Sequence, residues 1–83
     1  MTRENFDAAK KLFDRITRIE NRIKRLDSVR DCPNCSYKLV AVRDGMNIDE
    51  TQLTEYAALK SITIAIDEMT EELEKLRRDI ENL

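Results

Sequence analysis

The chain has 83 residues, of which 39% are charged and 5% aromatic, and its formal net charge at pH 7 is −2. A chain of this length forms one domain with a small core, so the sequence predicts a single domain over residues 1–83. The near balance of charges does not favour nucleic acid or an anionic membrane as a partner. The chain also contains no His, which removes the usual general base and the commonest zinc ligand. With one Gly and one Pro, this composition is typical of a coiled coil or a helical hairpin.

A first helix is predicted from about residue 4 to residue 30, because residues 4–30 contain neither Gly nor Pro. Apolar residues recur there at alternating spacings of four and three, which is the heptad pattern of a helix that packs along one stripe. Phe6 and Phe13 lie beside this stripe and widen it toward the apolar face of a helix bundle. The predicted seam residues are Leu12, Ile16, Ile19, Ile23 and Leu26.

A second helix is predicted over about residues 49–83. Asp49 is a good N-cap residue, Gln52 stands where a capping box needs it, and Ile48 and Leu53 occupy the two positions of a hydrophobic staple. A second heptad seam follows, so the two seams predict an antiparallel coiled-coil hairpin. The seam residues of this helix are Leu59, Ile62, Ile66, Met69, Leu73, Leu76 and Ile80.

One stretch of the second helix is ambiguous. Residues 61–66, SITIAI, alternate like a strand and are rich in β-branched side chains. No turn residues bracket them and the heptad passes through them in phase, so we predict helix. Ile64 then lies off the seam with Leu53 and Ala57, in a second apolar row that needs a partner such as the connector or another subunit.

The connector, residues 31–48, contains the only Pro, the only Gly and both cysteines. Residues 37–42, YKLVAV, have strand character, and Asp44-Gly45 is a favoured two-residue hairpin turn. Only residues 46–48 remain for a return strand before the predicted helix, so we expect a short β-hairpin or loop at this end. An isolated two-stranded hairpin is marginal in water, and its edge would gain by pairing with a second copy of the chain.

Charge favours pairing of the two helices. Residues 3–30 carry nine basic and five acidic side chains, a net of +4, whereas residues 49–83 carry four basic and ten acidic ones, a net of −6. An antiparallel hairpin would place the acidic run that begins at Asp67 beside the basic first half of the first helix, including Arg15. Opposite charges therefore favour the pairing of the two helices. Together with the seams and the second apolar row, this predicts a mainly α, homo-oligomeric fold.

Cys32-Pro33-Asn34-Cys35 has the spacing with which two thiolates grip one zinc ion. Zinc takes four ligands, so this half-site would need Cys32 and Cys35 from two chains. The motif resembles the apex of the zinc-hook coiled coils of double-strand-break repair ATPases, which implies dimerisation through shared zinc. It also resembles one knuckle of a zinc ribbon. Two alternatives stay open: reduced thiols at the end of a helix that Pro33 stops, and a redox Cys-x-x-Cys pair.

Four side chains near the connector are candidates for ligand or partner binding. An aromatic ring can stack on a nucleobase while a nearby cation meets phosphate. The alternative is ordinary packing at the end of the helical rod. The candidates are Tyr37, Lys38, Arg43 and Tyr56.

No enzyme motif is present: the sequence has no glycine-rich phosphate loop and no nucleophile–His pair. We therefore expect a non-catalytic, homo-oligomeric binding protein without a cofactor. Its size and charge-rich, two-helix style resemble small anti-defence proteins of phages and mobile elements, including helical sponges for cyclic nucleotides. That resemblance implies a host protein or a host signalling nucleotide as the partner, and the host cytoplasm as the location.

The alternative is a structural coiled-coil dimerisation module that shares zinc through Cys32 and Cys35. In either case the apolar runs are too short to span a bilayer, and the first residues lack the apolar segment of a secretory signal. We therefore expect no membrane partner and a cytoplasmic protein.

Overall fold

In a computed structural model, which describes residues 2–83, the chain forms two helices with a two-stranded antiparallel sheet between them. The molecule is elongated, with principal extents of 51 × 29 × 16 Å. The prediction of a mainly helical hairpin with a β-hairpin between its helices is confirmed. The elements are α1 (Arg3–Arg30), β1 (Tyr37–Arg43), β2 (Met46–Leu53) and α2 (Glu55–Glu81).

Helix α1 has defined caps at both ends. The hydroxyl of Thr2 accepts a hydrogen bond from the backbone N–H of Asn5 at 3.1 Å, which satisfies one of the free amides of the first turn. At the other end, the N–H of Asp31 donates to the carbonyl of Asp27 at 3.0 Å, and Pro33 follows two residues later. The predicted bounds of 4–30 agree with the observed Arg3–Arg30 to within one residue.

Helix α2 begins at Glu55, so the prediction that it starts at Asp49 is wrong. Its N-cap is Thr54, whose hydroxyl accepts a hydrogen bond from the N–H of Ala57 at 3.2 Å. Asp49 lies within β2, where its carboxylate accepts a hydrogen bond from the N–H of Glu50 at 2.8 Å. Both Asp49 and Thr54 have side chains suited to capping, and pairing with β1 keeps Asp49 extended.

The return strand is eight residues long, not the three of residues 46–48. Its residues pair with β1 from Arg43↔Met46 at the turn to Tyr37↔Leu53 at the base. Ala41 pairs with Asp49 and Val42 with Asn47, so Ile48 between them is the extra residue of a β-bulge. The residues that suggested a capping box and a staple thus lie in a strand.

The turn between the strands is the predicted Asp44-Gly45 loop. Both residues have positive φ, 53° for Asp44 and 78° for Gly45. A two-residue turn with positive φ at both positions matches the twist of the flanking strands. This part of the β-hairpin prediction is confirmed.

The core lies between the two helices. A cluster of four buried side chains joins them, and partly buried residues of the predicted seams pack against it. Residues 61–66 are helical, as predicted. The four clustered residues are Ile16, Ile19, Leu73 and Leu76, and the residues packed against them are Leu12, Ile23, Met69 and Ile80.

Two ion pairs link the helices beside this core. Arg15 Nη2 lies 3.0 Å from Glu72 Oε1, and Arg77 Nη2 lies 3.8 Å from Glu20 Oε1. All four side chains are more than two-fifths exposed, so each pair contributes about 0–1 kcal/mol. In the first pair the arginine is on α1, and in the second it is on α2. The two pairs therefore favour one alignment of the helices, but they add little to the stability of the fold.

None of the helices in residues 2–83 combines the length and the apolar character that crossing a membrane requires.

Candidate functional site

The β-hairpin of residues 37–53, here called the ribbon, is the most exposed element of the molecule. At its base, the hydroxyl of Tyr37 donates a hydrogen bond to the backbone carbonyl of Val29 in α1 at 3.1 Å. Beyond the base, apolar side chains face water on both strands, and their exposures run from 54% to 71%. The exposed apolar residues are Leu39, Val42, Met46 and Ile48.

Each strand of the ribbon also has one free edge, because within residues 2–83 the sheet consists of β1 and β2. A free edge presents unpaired N–H and C=O groups, and a two-stranded hairpin alone is marginally stable in water. The ribbon therefore combines apolar side chains and unpaired backbone groups on one element. A further strand would pair with the free backbone groups, and another surface that covers the ribbon would bury its apolar side chains.

The structure separates the predicted ligand-binding residues of the ribbon. Tyr37 and Lys38 lie together at the base, beside a shallow open depression of about 440 Å³. Arg43 lies at the far end of β1, next to the turn. At roughly 3.3 Å per residue, it is about 20 Å from Tyr37 along the strand. Within one chain, Arg43 and Tyr37 therefore do not form one site.

The cation and the hydroxyl at the base already have partners in the chain. Lys38 Nζ lies 3.1 Å from Glu50 Oε2, across the two strands. The Tyr37 hydroxyl donates its hydrogen bond to the carbonyl of Val29. Tyr56 lies in the first turn of α2 and is 75% exposed, with Lys60 Nζ 5.8 Å from its ring centroid.

The cysteine turn connects α1 to the ribbon. The sulfur atoms of Cys32 and Cys35 are in contact, as in a disulfide, and their Cα atoms are 5.8 Å apart. Asn34 between them has a positive φ of 59°, a conformation that Asn tolerates better than most residues. The turn therefore directs both sulfur atoms to one point.

A zinc ion at this turn would need further ligands. Among residues 2–83 there is no group of three or more His, Cys, Asp and Glu side chains placed to hold a metal ion. Since zinc takes four ligands, the two thiolates of one chain form half of a site. A second chain would have to supply the other half.

A second exposed apolar surface lies on α1, at residues that were not among the predicted binding residues. Phe6 and Phe13 are 61% and 56% exposed and lie seven residues apart on the same side of the helix. Together with Ala9 they line a depression that is almost entirely apolar. The sequence places both aromatic residues beside the seam, and the structure adds that the second helix leaves them exposed.

Comparison of the chain with protein-family models, curated proteins and solved structures found no match.

Proposed function

We propose that the chain is a non-catalytic, homo-oligomeric binding protein, in which the helices pair as an antiparallel coiled coil and the exposed apolar surfaces make the contacts. The observation that carries this proposal is the distribution of apolar side chains. Six residues of the described chain are buried, two of them Ala, while ten large apolar side chains are between 44% and 75% exposed. The exposed set includes Phe6 and Phe13 on α1, Ile64 and Tyr56 on α2, and four residues of the ribbon.

Burial of these side chains would stabilise a chain that has little core of its own. Apolar surface removed from water contributes about 25 cal/mol per Å². Small domains commonly depend on association for this reason. A second copy of the chain is the partner that is always present at matching concentration, which supports the homo-oligomer.

The seams support the coiled-coil pairing. The eight residues at the interface of α1 and α2 all belong to the two heptad patterns of the sequence. Seam residues that recur at spacings of three and four keep facing the partner helix along its length. The ion pair between Arg15 and Glu72 beside the seam supports the same alignment.

The exposure of the charged groups on the ribbon supports a binding role rather than catalysis. Lys38 and Glu50 have side chains 62% and 53% exposed, and they pair with each other. Electrostatic catalysis depends on preorganised groups in a site from which water is excluded. The exposed pair of Lys38 and Glu50 is neither shielded from water nor preorganised in this way.

The ligand in this proposal is a host protein or a host signalling nucleotide, and the cellular role is that of a phage-type inhibitor or sponge in the host cytoplasm. The size and the two-helix style of the chain support this role by resemblance. Tyr37 and Lys38, which lie together beside the depression at the base of the ribbon, support a nucleotide, and the apolar depression at Phe6 and Phe13 supports a protein.

A native mass spectrum of protein purified without chelator, together with sedimentation at several concentrations, tests the proposal. We expect an oligomer at micromolar concentration whose subunits dissociate on dilution. A retained mass would identify a nucleotide or a protein ligand. A chain that sediments as a monomer at every concentration would contradict the proposal.

A second candidate is a structural dimerisation module that shares a zinc ion through the cysteine turn. The Cys-x-x-Cys spacing of Cys32 and Cys35 supports this candidate, because two thiolates at that spacing can bind one zinc ion. It predicts one zinc ion for every two chains in the same native mass spectrum. It also predicts that a chelator dissociates the dimer.

A further inference from the structure

We infer that two copies of the chain join through the free edge of β1, antiparallel, with Val40 of one copy opposite Val40 of the other. This inference rests on the proposed homo-oligomer and names its interface. The joined ribbons would form one four-stranded antiparallel sheet in the order β2-β1-β1-β2. The two-fold axis would pass beside Val40.

The edge of β1 is regular and carries no acidic residue. Its sequence is YKLVAVR, in which residues 39–42 are all apolar. Hydrogen-bonded and non-hydrogen-bonded pairs alternate along an antiparallel ladder, so every second residue of β1 directs its N–H and C=O away from β2. Among residues 2–83 no strand pairs with β1 on the side away from β2, so this edge is open to another strand.

The edge of β2 is less suited to self-pairing. The bulge at Ile48 interrupts its backbone, and bulges are a common way to keep an edge from pairing. A two-fold axis also places one residue opposite itself. In the two central registers of Met46–Leu53 that residue is Asp49 or Glu50, and like charges directly opposite each other destabilise a sheet.

The register centred on Val40 pairs all seven residues of β1. It places Lys38 opposite Val42 of the partner subunit, and Tyr37 opposite Arg43 of the partner subunit. No two like charges are then directly opposite. Registers shifted toward either end leave more of the strand unpaired, so the central register satisfies the most backbone groups.

Self-pairing also resolves two features that the single chain leaves unexplained. A ribbon of two strands becomes a sheet of four, which is more than the three strands that a sheet with an apolar face needs for independent stability. In addition, Arg43 of the partner subunit comes beside Tyr37, whereas Arg43 of the same chain is about 20 Å away. The aromatic and basic residues of the ribbon then meet across the interface.

A matched pair of substitutions at Val42 tests this interface. Val42→Lys would place two positive charges opposite each other, because Lys38 of the partner subunit faces position 42. Val42→Glu would place a negative charge opposite the same Lys38 of the partner subunit. Within the chain, the residue opposite Val42 is Asn47, which is neutral and favours neither substitution. Because the two-fold axis repeats the contact, we expect the dimer dissociation constant of Val42→Lys to be about tenfold above that of Val42→Glu at low salt. Added salt should reduce the difference.

The same two substitutions at Ile48 are the control. Ile48 is 54% exposed and lies on the bulge of β2, away from the proposed interface. Ile48→Lys and Ile48→Glu should give dissociation constants that agree with each other. Circular dichroism checks that all four variants keep the fold.

A cross-linking experiment tests the register without added charge. In the full chain with Cys32→Ser and Cys35→Ser, Val40→Cys places one thiol opposite its own copy, at a cross-strand Cβ separation of about 4.5–5.5 Å. A short bifunctional thiol reagent should give a covalent dimer, because a direct disulfide needs a Cβ separation of about 3.5–4.5 Å. Glu50→Cys in the same background lies opposite Val40 within the chain, on β2, and should remain uncross-linked.

The outcomes separate this inference from the proposed function. A wild-type chain that is monomeric at all concentrations would overturn both. A dimer in which Val42→Lys and Val42→Glu associate equally, and Val40→Cys does not cross-link, would overturn the β1 interface and leave the homo-oligomer standing. Open-ended assemblies larger than a dimer would also overturn it, because pairing of β1 with β2 of another copy does not close.

Discussion

The hydroxyl of Tyr37 donates a hydrogen bond to the backbone carbonyl of Val29 at 3.1 Å, and this bond ties the first residue of the ribbon to the last turn of α1. Val29 is in the last turn of α1, where the backbone carbonyls have no N–H group of the helix to accept a hydrogen bond from. Its carbonyl also accepts a hydrogen bond from the N–H of Cys32 at 3.3 Å. The direction in which the ribbon leaves the helices therefore depends on a few contacts around this one carbonyl.

Tyr37→Phe should lower the free energy of unfolding by about 0.5–1.5 kcal/mol, because it removes this hydrogen bond and keeps the ring. Tyr56→Phe is the matched control, since Tyr56 is 75% exposed and lies on α2. Denaturation in urea at one fixed chain concentration measures both variants, because association changes the apparent stability. Equal stabilities for the two variants would show that the Tyr37 bond does not hold the ribbon.

The start of α2 gives a second prediction. Thr54→Ala should destabilise the chain by about 0.5–2 kcal/mol, since the Thr54 hydroxyl caps the N–H of Ala57 at 3.2 Å. Asp49→Ala should cost less, because Asp49 lies in the middle of β2 and bonds only to the adjacent N–H of Glu50. Thermal unfolding of the two variants, followed by circular dichroism, compares them directly. A larger loss from Asp49→Ala would favour a helix that begins at Asp49.

The contrast between Thr54 and Asp49 shows how much of the fold could be predicted from sequence. The heptad seams identified the helices. The residues most buried between the helices, such as Ile16 and Leu76, belong to these seams. Asp44-Gly45 identified the turn, because few residue pairs adopt positive φ at both positions. These features depend on local chemistry, which is readable along the chain.

The extent of β2 could not be predicted in the same way. Its residues MNIDETQL include Asp, Asn and Glu, which are depleted in strands, and they offer a plausible cap at Asp49. Their extended conformation comes from pairing with β1, which is a contact between segments rather than a local preference. For the candidate site, the sequence identified Tyr37 and Lys38 as neighbours. The separation of Arg43 from them follows only from the length and direction of β1.

The turn of the ribbon gives a third prediction. Gly45 has a φ of 78°, a conformation that costs residues with a Cβ roughly 1 kcal/mol or more, although no atom lies within 4 Å of where that Cβ would be. Gly45→Ala should therefore destabilise the ribbon by about 1 kcal/mol through backbone strain alone. Hydrogen exchange of the amides of β1 and β2 measures this locally.

Asp44→Asn is the control for this turn, because Asn is at least as tolerant of positive φ as Asp. Its exchange rates should match those of the unsubstituted chain. Faster exchange in Asp44→Asn than in Gly45→Ala would mean that the Asp44 carboxylate, rather than the glycine backbone, stabilises the turn.

The cysteine turn gives the last prediction, because it distinguishes the two modes of association. In a dimer joined through β1, the two cysteine turns lie near opposite ends of the shared sheet. Tyr37 of each copy follows Cys35 by two residues, and the two Tyr37 positions are about 20 Å apart at roughly 3.3 Å per residue. One zinc ion binds sulfur at about 2.3 Å, so it cannot bridge both turns in such a dimer.

We therefore expect the chain with Cys32→Ser and Cys35→Ser to dimerise with the dissociation constant of the unsubstituted chain, and a chelator to leave that constant unchanged. Sedimentation equilibrium with and without chelator measures it, and Val42→Lys serves as the variant that should weaken the dimer in both conditions. If the chelator and the Ser substitutions dissociate the dimer while Val42→Lys leaves it intact, the chains join at their cysteine turns through zinc, and the edge of β1 is free for another partner.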